Sequence, residues 1–483
     1  MKKDTVALYP SPGRSHLVPM IELAKLILTH YPSFTITVII YEAPFETGST
    51  SQYIQSISDT APSIIFHHLP TISTATTTSS TTYVDIKTQS FELPRLNNSN
   101  FHQALLTISK SANIKSLILD FFCNASFEIS STALQIPTYY YKPSNLGGLS
   151  VFLYLPTLHK NTTTSLKDVG DELINIPGWQ VPISAKDMPS PLQDRTTKVY
   201  NYFLETAIQM PKSAGIIVST VESLEKGVLN AILDGLCTPG EQTVPRIYCL
   251  GPLIVSADGK SSGEVKHECM NWLDSKPKSS VLFLSFGSVG KFSGKQLKEM
   301  ALGLERSGVN FLWVVRPPPG EEMANAGDWD LLFPDGFLER IKNKGYVAKS
   351  WVPQVEVLSH DSVGGFVSHC GWNSSMEAMR AGVPILAWPL FAEQKLNKVT
   401  LVEELKVALP VVPAEEDGIV SAAELEKRVT ELMDSESEEG KALRERVMSA
   451  RQVLLTAYSQ DGPSRIALAK FVESFKDNEP FQP

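Results

Sequence analysis

Between residues 364 and 380 the chain changes its hydrophobic period within a few positions, and few folds tolerate that. Gly364-Gly365-Phe366-Val367-Ser368 is a short apolar run of strand character ending at His369; Cys370-Gly371-Trp372-Asn373-Ser374 turns the chain, and a helical pattern follows over 375–380. A strand that turns tightly into a helix start leaves several backbone N–H groups unpaired beside about half a positive charge, a place where phosphate oxygens bind readily. His369, Asn373 and Ser374 add side-chain donors at the same point. Those residue types also suit a second reading, in which Asn373 and Ser374 cap the helix and His369 ends a buried strand.

The flanks add more chemistry. Trp351 and Gln354 follow another apolar strand, and their side chains suit stacking on a flat ring and pairing with polar groups. Glu377, on the first helical turn, suits a sugar diol, because a carboxylate accepts two hydrogen bonds. A further apolar run, 385–388, leads to Glu393-Gln394, a pair able to hold hydroxyl groups.

All 44 positions of 351–394 resemble, in residue type and spacing, the signature box of plant secondary-product glycosyltransferases, the family 1 enzymes that use uridine diphosphate sugars. The resemblance makes Trp351 the uracil platform, with Val352 and Gln354 at the base and ribose and Glu377 on the ribose. It puts His369, Asn373 and Ser374 on the pyrophosphate, and Trp372, Glu393 and Gln394 on the sugar. Trp372 rather than Arg, and Gln394 rather than His, look like members that prefer glucose to glucuronic acid or galactose.

The 483 residues exceed one ordinary domain, and 42% hydrophobic with 20% charged residues is a globular composition. A net charge of −9 without a basic stripe argues against nucleic-acid partners. With no signal-peptide pattern and no long apolar stretch, the expectation is a cytoplasmic protein without membrane insertion, and a monomer. Cys123, Cys237, Cys249, Cys269 and Cys370 fit neither a disulfide framework nor a zinc site.

Strand and helix patterns alternate along the chain. A strand over 5–9, a Pro/Gly/Ser turn and a helix over 16–28 place His16 where strand hands over to helix; the strand over 116–120 ends in Asp120, with a helical pattern from Asn124. Both fall at strand ends, where open α/β sheets bind ligands, although either residue also suits an ordinary helix start. The Thr/Ser tract at 71–82 reads as a mobile surface loop, and 251–263 as a linker. After it the alternation resumes with strands over 281–286, 311–315, 346–349, 365–369, 385–388 and 407–409; Gly287-Ser288 forms a turn after the first. The expected fold is α/β, two doubly wound Rossmann-like domains. The resemblance implies that they face each other across a cleft (GT-B type). The expected boundaries are an acceptor domain at 1–250, a linker at 251–275, a UDP-sugar domain at 276–455 and a helix at 456–483 that returns to the first domain.

What the resemblance implies chemically is an inverting transfer of glucose from UDP-glucose to a small phenolic, flavonoid-like acceptor. Neutral His16 takes the phenolic proton, Asp120 orients the ring, Ser288 and the helix start receive the diphosphate, and neither a metal nor a resident cofactor takes part. Phe91, Phe121, Phe122, Phe152, Tyr200 and Tyr202 suggest a flat aromatic ligand. Relatives usually carry Thr-Ser-Gly where this chain has Pro143-Ser144-Asn145. Two other readings use the same features: a nucleotide-sugar epimerase, and a non-catalytic protein that binds a uridine nucleotide or an aromatic ligand. A dehydrogenase is excluded, since no strand leads into Gly-x-Gly-x-x-Gly.

Overall fold

The computed structural model describes residues 2–43, 49–72, 83–240, 244–255, 267–320 and 326–476. It divides into two compact units: one runs to Ile254 and takes in the C-terminal residues from Thr456, the other spans Val255–Leu455. Most of the Thr/Ser tract and residues 256–266 of the expected linker lie outside the described residues, while the helix Glu268–Asp274, inside the expected linker, belongs to the second unit.

In the first unit the strands are β1 (Lys3–Tyr9), β2 (Thr35–Ile40), β3 (Ile64–His68), β4 (Ala112–Asp120), β5 (Thr138–Lys142), a small hairpin β6 (Leu173–Ile174) and β7 (Ile183–Ser184), β8 (Gly215–Val218) and β9 (Ile247–Cys249). Seven of them form one parallel sheet in the order β3-β2-β1-β4-β5-β8-β9. The apolar run behind β1 is buried almost throughout, and the helix Arg14–His30 lays Leu17, Met20, Ile21, Ala24 and Ile27, spaced three and four apart, into the core beneath it. The helical stretch expected near 88–112 is two helices, Tyr83–Leu96 and Asn98–Ser111, parted at Asn97 shortly after Pro94. In place of a regular helix from Asn124, a tight 3₁₀ turn, Phe121–Ser126, follows β4.

The second unit repeats the scheme with β10 (Val281–Ser285), β11 (Asn310–Val314), β12 (Gly345–Ala348), β13 (Val363–Ser368), β14 (Ile385–Ala387) and β15 (Ala408–Pro410), parallel in the order β12-β11-β10-β13-β14-β15. The two glycines that open β13 serve packing: a Cβ on Gly364 would sit 2.2 Å from the Ser279 carbonyl oxygen, and one on Gly365 would meet Leu432 and Met433.

The last described helix, Pro463–Lys476, packs on the first sheet. Phe471 and Phe475 meet Tyr139 edge-on, Phe471 also meets Tyr248, and the Tyr139 hydroxyl pairs with Ser474 Oγ at 2.7 Å. Phe471 is wholly buried, so Phe471→Ala loses both transfer energy and ring contacts. A loss of about 3–5 kcal/mol is expected in denaturant unfolding followed by a first-unit probe such as Tyr139. A loss below about 1 kcal/mol would mean that this helix adds little to the sheet.

Candidate functional site

In the first unit the strand order reverses between β1 and β4, so the segments leaving these neighbours diverge from adjacent strand ends. His16 lies in the first turn of the helix after β1, and Asp120 is the last residue of β4. Their side chains meet: His16 Nδ1 is 2.7 Å from Asp120 Oδ2, the carboxylate is wholly buried, and the imidazole keeps 12% exposure. Asp120 Oδ1 also accepts from the Phe122 backbone N–H at 3.0 Å, so Asp120 caps the 3₁₀ turn and holds the histidine together. With Nδ1 facing the carboxylate, Nε2 is the ring nitrogen left for other chemistry.

Beside this pair, Phe121 and Phe122 pack ring to ring at 4.0 Å, 6.3 and 5.2 Å from the His16 ring. Phe91, Phe152 and Phe203 close around them, and Tyr202 stacks on Phe91. Tyr200 does not join them; its hydroxyl is 3.0 Å from His159 Nδ1. Phe203, which the sequence reading passed over, takes its place. Its signal was its spacing on the amphipathic helix Lys198–Gln209.

The second unit has its reversal between β10 and β13. The helix Trp372–Ala381 starts there, with Gly371 as the residue before its first turn, so Asn373 and Ser374 lie inside that turn, contrary to the capping reading. Gln354 links the expected residues: its Oε1 accepts from Ser285 Oγ at 3.0 Å, and its Nε2 donates to Ser374 Oγ at 2.9 Å and Glu377 Oε2 at 2.7 Å. Ser285 was not anticipated, although a serine ending the apolar run of β10 was its trace in the sequence. Burial pushes the Glu377 carboxyl up to about 7, against the Gln354 hydrogen bond, which lowers it.

His369 sits against two glycines: a Cβ on Gly287 would lie 2.8 Å from its Nε2, and one on Gly371 2.4 Å. Burial drives its pKa down to about 4 despite the opposing pull of Glu393, so the ring is neutral at pH 7. Its Nδ1 is buried without a hydrogen-bond partner among the described residues. Trp351 stands 68% exposed after β12, as a stacking platform requires, while Val352 is buried behind it and Ser288 is exposed after β10. Trp372 is 2% exposed, so its indole offers no open face. Gln394 turns inward too, its Oε1 accepting from the Leu390 and Phe391 N–H groups at 2.9 and 3.0 Å. That leaves its Nε2 as the donor, next to the half-buried Glu393. Among the described residues, no group of three or more His, Cys, Asp or Glu side chains could hold a metal ion, and no helix is long and apolar enough to cross a membrane.

Residues 253–449 match the family model described as "UDP-glucoronosyl and UDP-glucosyl transferase". The chain is 48% identical over 489 residues to an anthocyanidin 5,3-O-glucosyltransferase of a Rosa hybrid cultivar, covering 99% of this chain and 100% of the relative. It is 46% identical over 476 residues to UDP-glycosyltransferase 88B1 of Stevia rebaudiana, covering 98% and 99%. Among solved structures, Phytolacca americana UGT2 complexed with UDP-2fluoro-glucose and pterostilbene superposes with a TM-score of 0.85 at 32% identity, covering 98% of this chain and 100% of that one.

In the network around Gln354, the amide is the group that opposes burial at Glu377. Gln354→Ala therefore moves the Glu377 carboxyl above about 7, seen as a higher midpoint in its 13C titration. A midpoint that stays put would show that the contact does not form.

Proposed function

The chain belongs to the UDP-glucoronosyl and UDP-glucosyl transferase family, and from that premise we propose that it moves glucose from UDP-glucose to the hydroxyl of a small phenolic acceptor. It is a UDP-glycosyltransferase of the GT-B fold. The observation that carries the finer reading is the His16–Asp120 pair set against an aromatic wall at the strand reversal of the first sheet. The acceptor class is supported by the rose relative, named for glucosylating an anthocyanidin, and by the Phytolacca complex with the stilbene pterostilbene.

In this reading His16 Nε2 takes the phenolic proton as the oxygen attacks the anomeric carbon, and the buried Asp120 carboxylate stabilises the imidazolium that forms. The carbon–oxygen bond to the diphosphate breaks as the new one forms, so a single displacement on an α-linked donor yields a β-glycoside. The developing charge on the diphosphate meets the helix start at Trp372, Asn373 and Ser374, with neutral His369 and the turn at Gly287-Ser288 beside it. UDP-sugar chemistry fits the orphaned His369 Nδ1, an exposed Trp351 for the base and Glu377 for the ribose. Gln394 and Glu393 hold the sugar, and Trp372 contributes through its backbone. The protein acts as a cytoplasmic monomer and requires no metal.

His16→Ala should lower kcat for a simple phenol by roughly a hundredfold or more while leaving UDP affinity nearly intact, because the base lies in the other compact unit. Asp120→Asn should lose less, since an amide still orients the ring but cannot stabilise the cation. Steady-state kinetics beside UDP calorimetry tests this; near wild-type turnover by His16→Ala would remove the general-base role and with it this mechanism.

Glu377 gives UDP-glucose binding a pH dependence of defined sign. With a carboxyl pKa of about 7, protonation competes with the ribose hydroxyls, so affinity falls as pH drops below about 7 and levels off above it. His369, neutral until about pH 4, adds nothing to this range. Glu377→Gln should flatten the profile measured by calorimetry between about pH 6 and about pH 8, a range set by the roughly one-unit reach of a titration on either side of its midpoint. A wild-type profile already flat there would exclude a ribose held by the ionised carboxylate.

A further inference from the structure

We propose that Arg316 reads the nucleobase of the donor: its guanidinium donates to the carbonyl oxygen at position 4 of uracil, and this contact selects uridine over cytidine nucleotides. It rests on the donor reading given above, with the base on Trp351, and adds the residue that chooses the base.

Arg316 is the second residue past β11, and the ladder runs up to its neighbour, since the Val315 N–H donates to the Ala348 carbonyl at 2.9 Å. Trp313 lies opposite Leu284 of β10, and Val314 opposite Ala348 of β12. Carried on, that register sets Arg316 level with Gly287 on one side and with Ser350, the residue before Trp351, on the other. Alternate residues of a strand point to opposite faces. Phe311 and Trp313 face the segment that crosses from β11 to β12, where their rings meet Phe337 and Phe333. Leu312, Val314 and Arg316 therefore face the other way. Right-handed crossovers put the helix Trp372–Ala381 on that second face, because the chain steps from β13 to β14 in the direction opposite to its step from β11 to β12. Arg316 thus shares the side of the sheet that carries Ser374 and Glu377, the two residues bound by Gln354 Nε2.

The guanidinium is half-buried and makes no hydrogen bond or ion pair among the described residues. Burial lowers its pKa, and no described carboxylate raises it again. A partly desolvated group with five N–H donors and no partner favours a ligand that brings acceptors. UDP has acceptors at both ends. Its diphosphate belongs, in this reading, to the helix start after β13, two strand spacings or about 10 Å along the sheet from β11; Trp351 follows β12, one spacing or about 5 Å away. The base is the nearer. Of the two uracil carbonyls, the one at position 2 adjoins the ribose, which Glu377 holds; the one at position 4 lies on the far edge. Cytosine carries an amino group there, a donor. Arginine accepts no hydrogen bond, so cytosine would set donor against donor and leave the guanidinium unpaired. A site built around a hydrogen bond rejects the analogue that cannot make it.

The test measures binding of UDP and CDP to the full chain by calorimetry, and KM and kcat for UDP-glucose, in wild type, Arg316→Ala, Arg316→Gln and Trp351→Ala. UDP should bind the wild type at least about tenfold more tightly than CDP does, the scale of a hydrogen bond to a charged group. Arg316→Ala should weaken UDP by about tenfold and CDP by no more than about twofold, so the ratio shrinks. KM for UDP-glucose should rise with little change in kcat, because the base is remote from the reacting carbon. Arg316→Gln, whose amide offers a donor and an acceptor and so serves either base, should shrink the ratio as well. Trp351→Ala should weaken both nucleotides alike, since stacking tolerates either ring. Equal losses of UDP and CDP in Arg316→Ala would put the guanidinium on the diphosphate or in the fold alone and overturn the proposal, as would an unchanged ratio. Should Arg316→Ala fail to fold, as its thermal melt would reveal, Arg316→Gln decides in the same way. Those outcomes, with UDP weakened by Trp351→Ala, end this inference and keep the donor reading; UDP affinity untouched by Trp351→Ala ends both.

Discussion

Both sheets depend on one topological constraint: a parallel sheet delivers every strand's last residue to a single edge, and where the strand order reverses the departing segments must diverge. In the first unit the reversal falls between β1 and β4, in the second between β10 and β13. The helix after β1 brings His16, and β4 ends in Asp120; the turn after β10 holds Gly287 and Ser288, and β13 leads to His369 and the helix start at Trp372. The same geometry that forces the backbone apart opens space at the strand ends. Two unlike sets of side chains, the His16–Asp120 pair and the turn from His369 into the helix, thus occupy equivalent positions in two similar sheets.

The sheets were legible because their strands are apolar runs buried on both faces, and the core recognises nothing finer than that. Strand ends were legible to within a few residues: β4 starts at Ala112 rather than at 116, because pairing with β1 extends through Lys3 and Asp4, residues too polar to read as strand. The segment after Asp120 reads helical by composition yet forms a 3₁₀ turn, since the carboxylate takes the Phe122 N–H and bends the chain at its start. Side-chain direction was the harder part. Nothing in the order Tyr200-Asn201-Tyr202-Phe203 says that Tyr200 turns to His159 while Phe203 enters the aromatic cluster. Likewise, Gln354 suggests a ligand contact by type, and its bond to Ser285 arises from a strand that is 69 residues distant.

Burial sets the ionisation of these groups more than their neighbours do. At His369 and Glu377 desolvation is the largest influence, and it acts in the same sense on both, disfavouring charge, so the imidazole is neutral and the carboxyl stands near half-protonation at pH 7. Neutral at pH 7, the His369 ring keeps one N–H donor and adds no cation that would have to be desolvated. Asp120 is as deeply buried, but it is met by His16 and a backbone N–H, two donors on its two oxygens. Satisfied in this way, the buried carboxyl holds a fixed orientation against the imidazole.

The turn that carries the helix start shows what such an arrangement costs the backbone. Cys370 has φ of 64° and Ala392 of 59°, left-handed values that cost a residue with a Cβ about 1–2 kcal/mol each. A glycine at 370 would relieve the strain, yet other contacts hold Cys370: its N–H reaches Ser368 Oγ at 3.2 Å, its carbonyl accepts from Asn397 at 2.9 Å, and its side chain is wholly buried. Gly371, at an ordinary φ of −62°, is required for space, because any Cβ there would run into the His369 ring. Small residue and strained residue thus solve different parts of one problem. Gly371 lets the ring lie against the turn, and the fixed left-handed Cys370 turns the chain just ahead of the helix start. A freely flexible pair would have to pay that ordering on binding, whereas here folding has already done so.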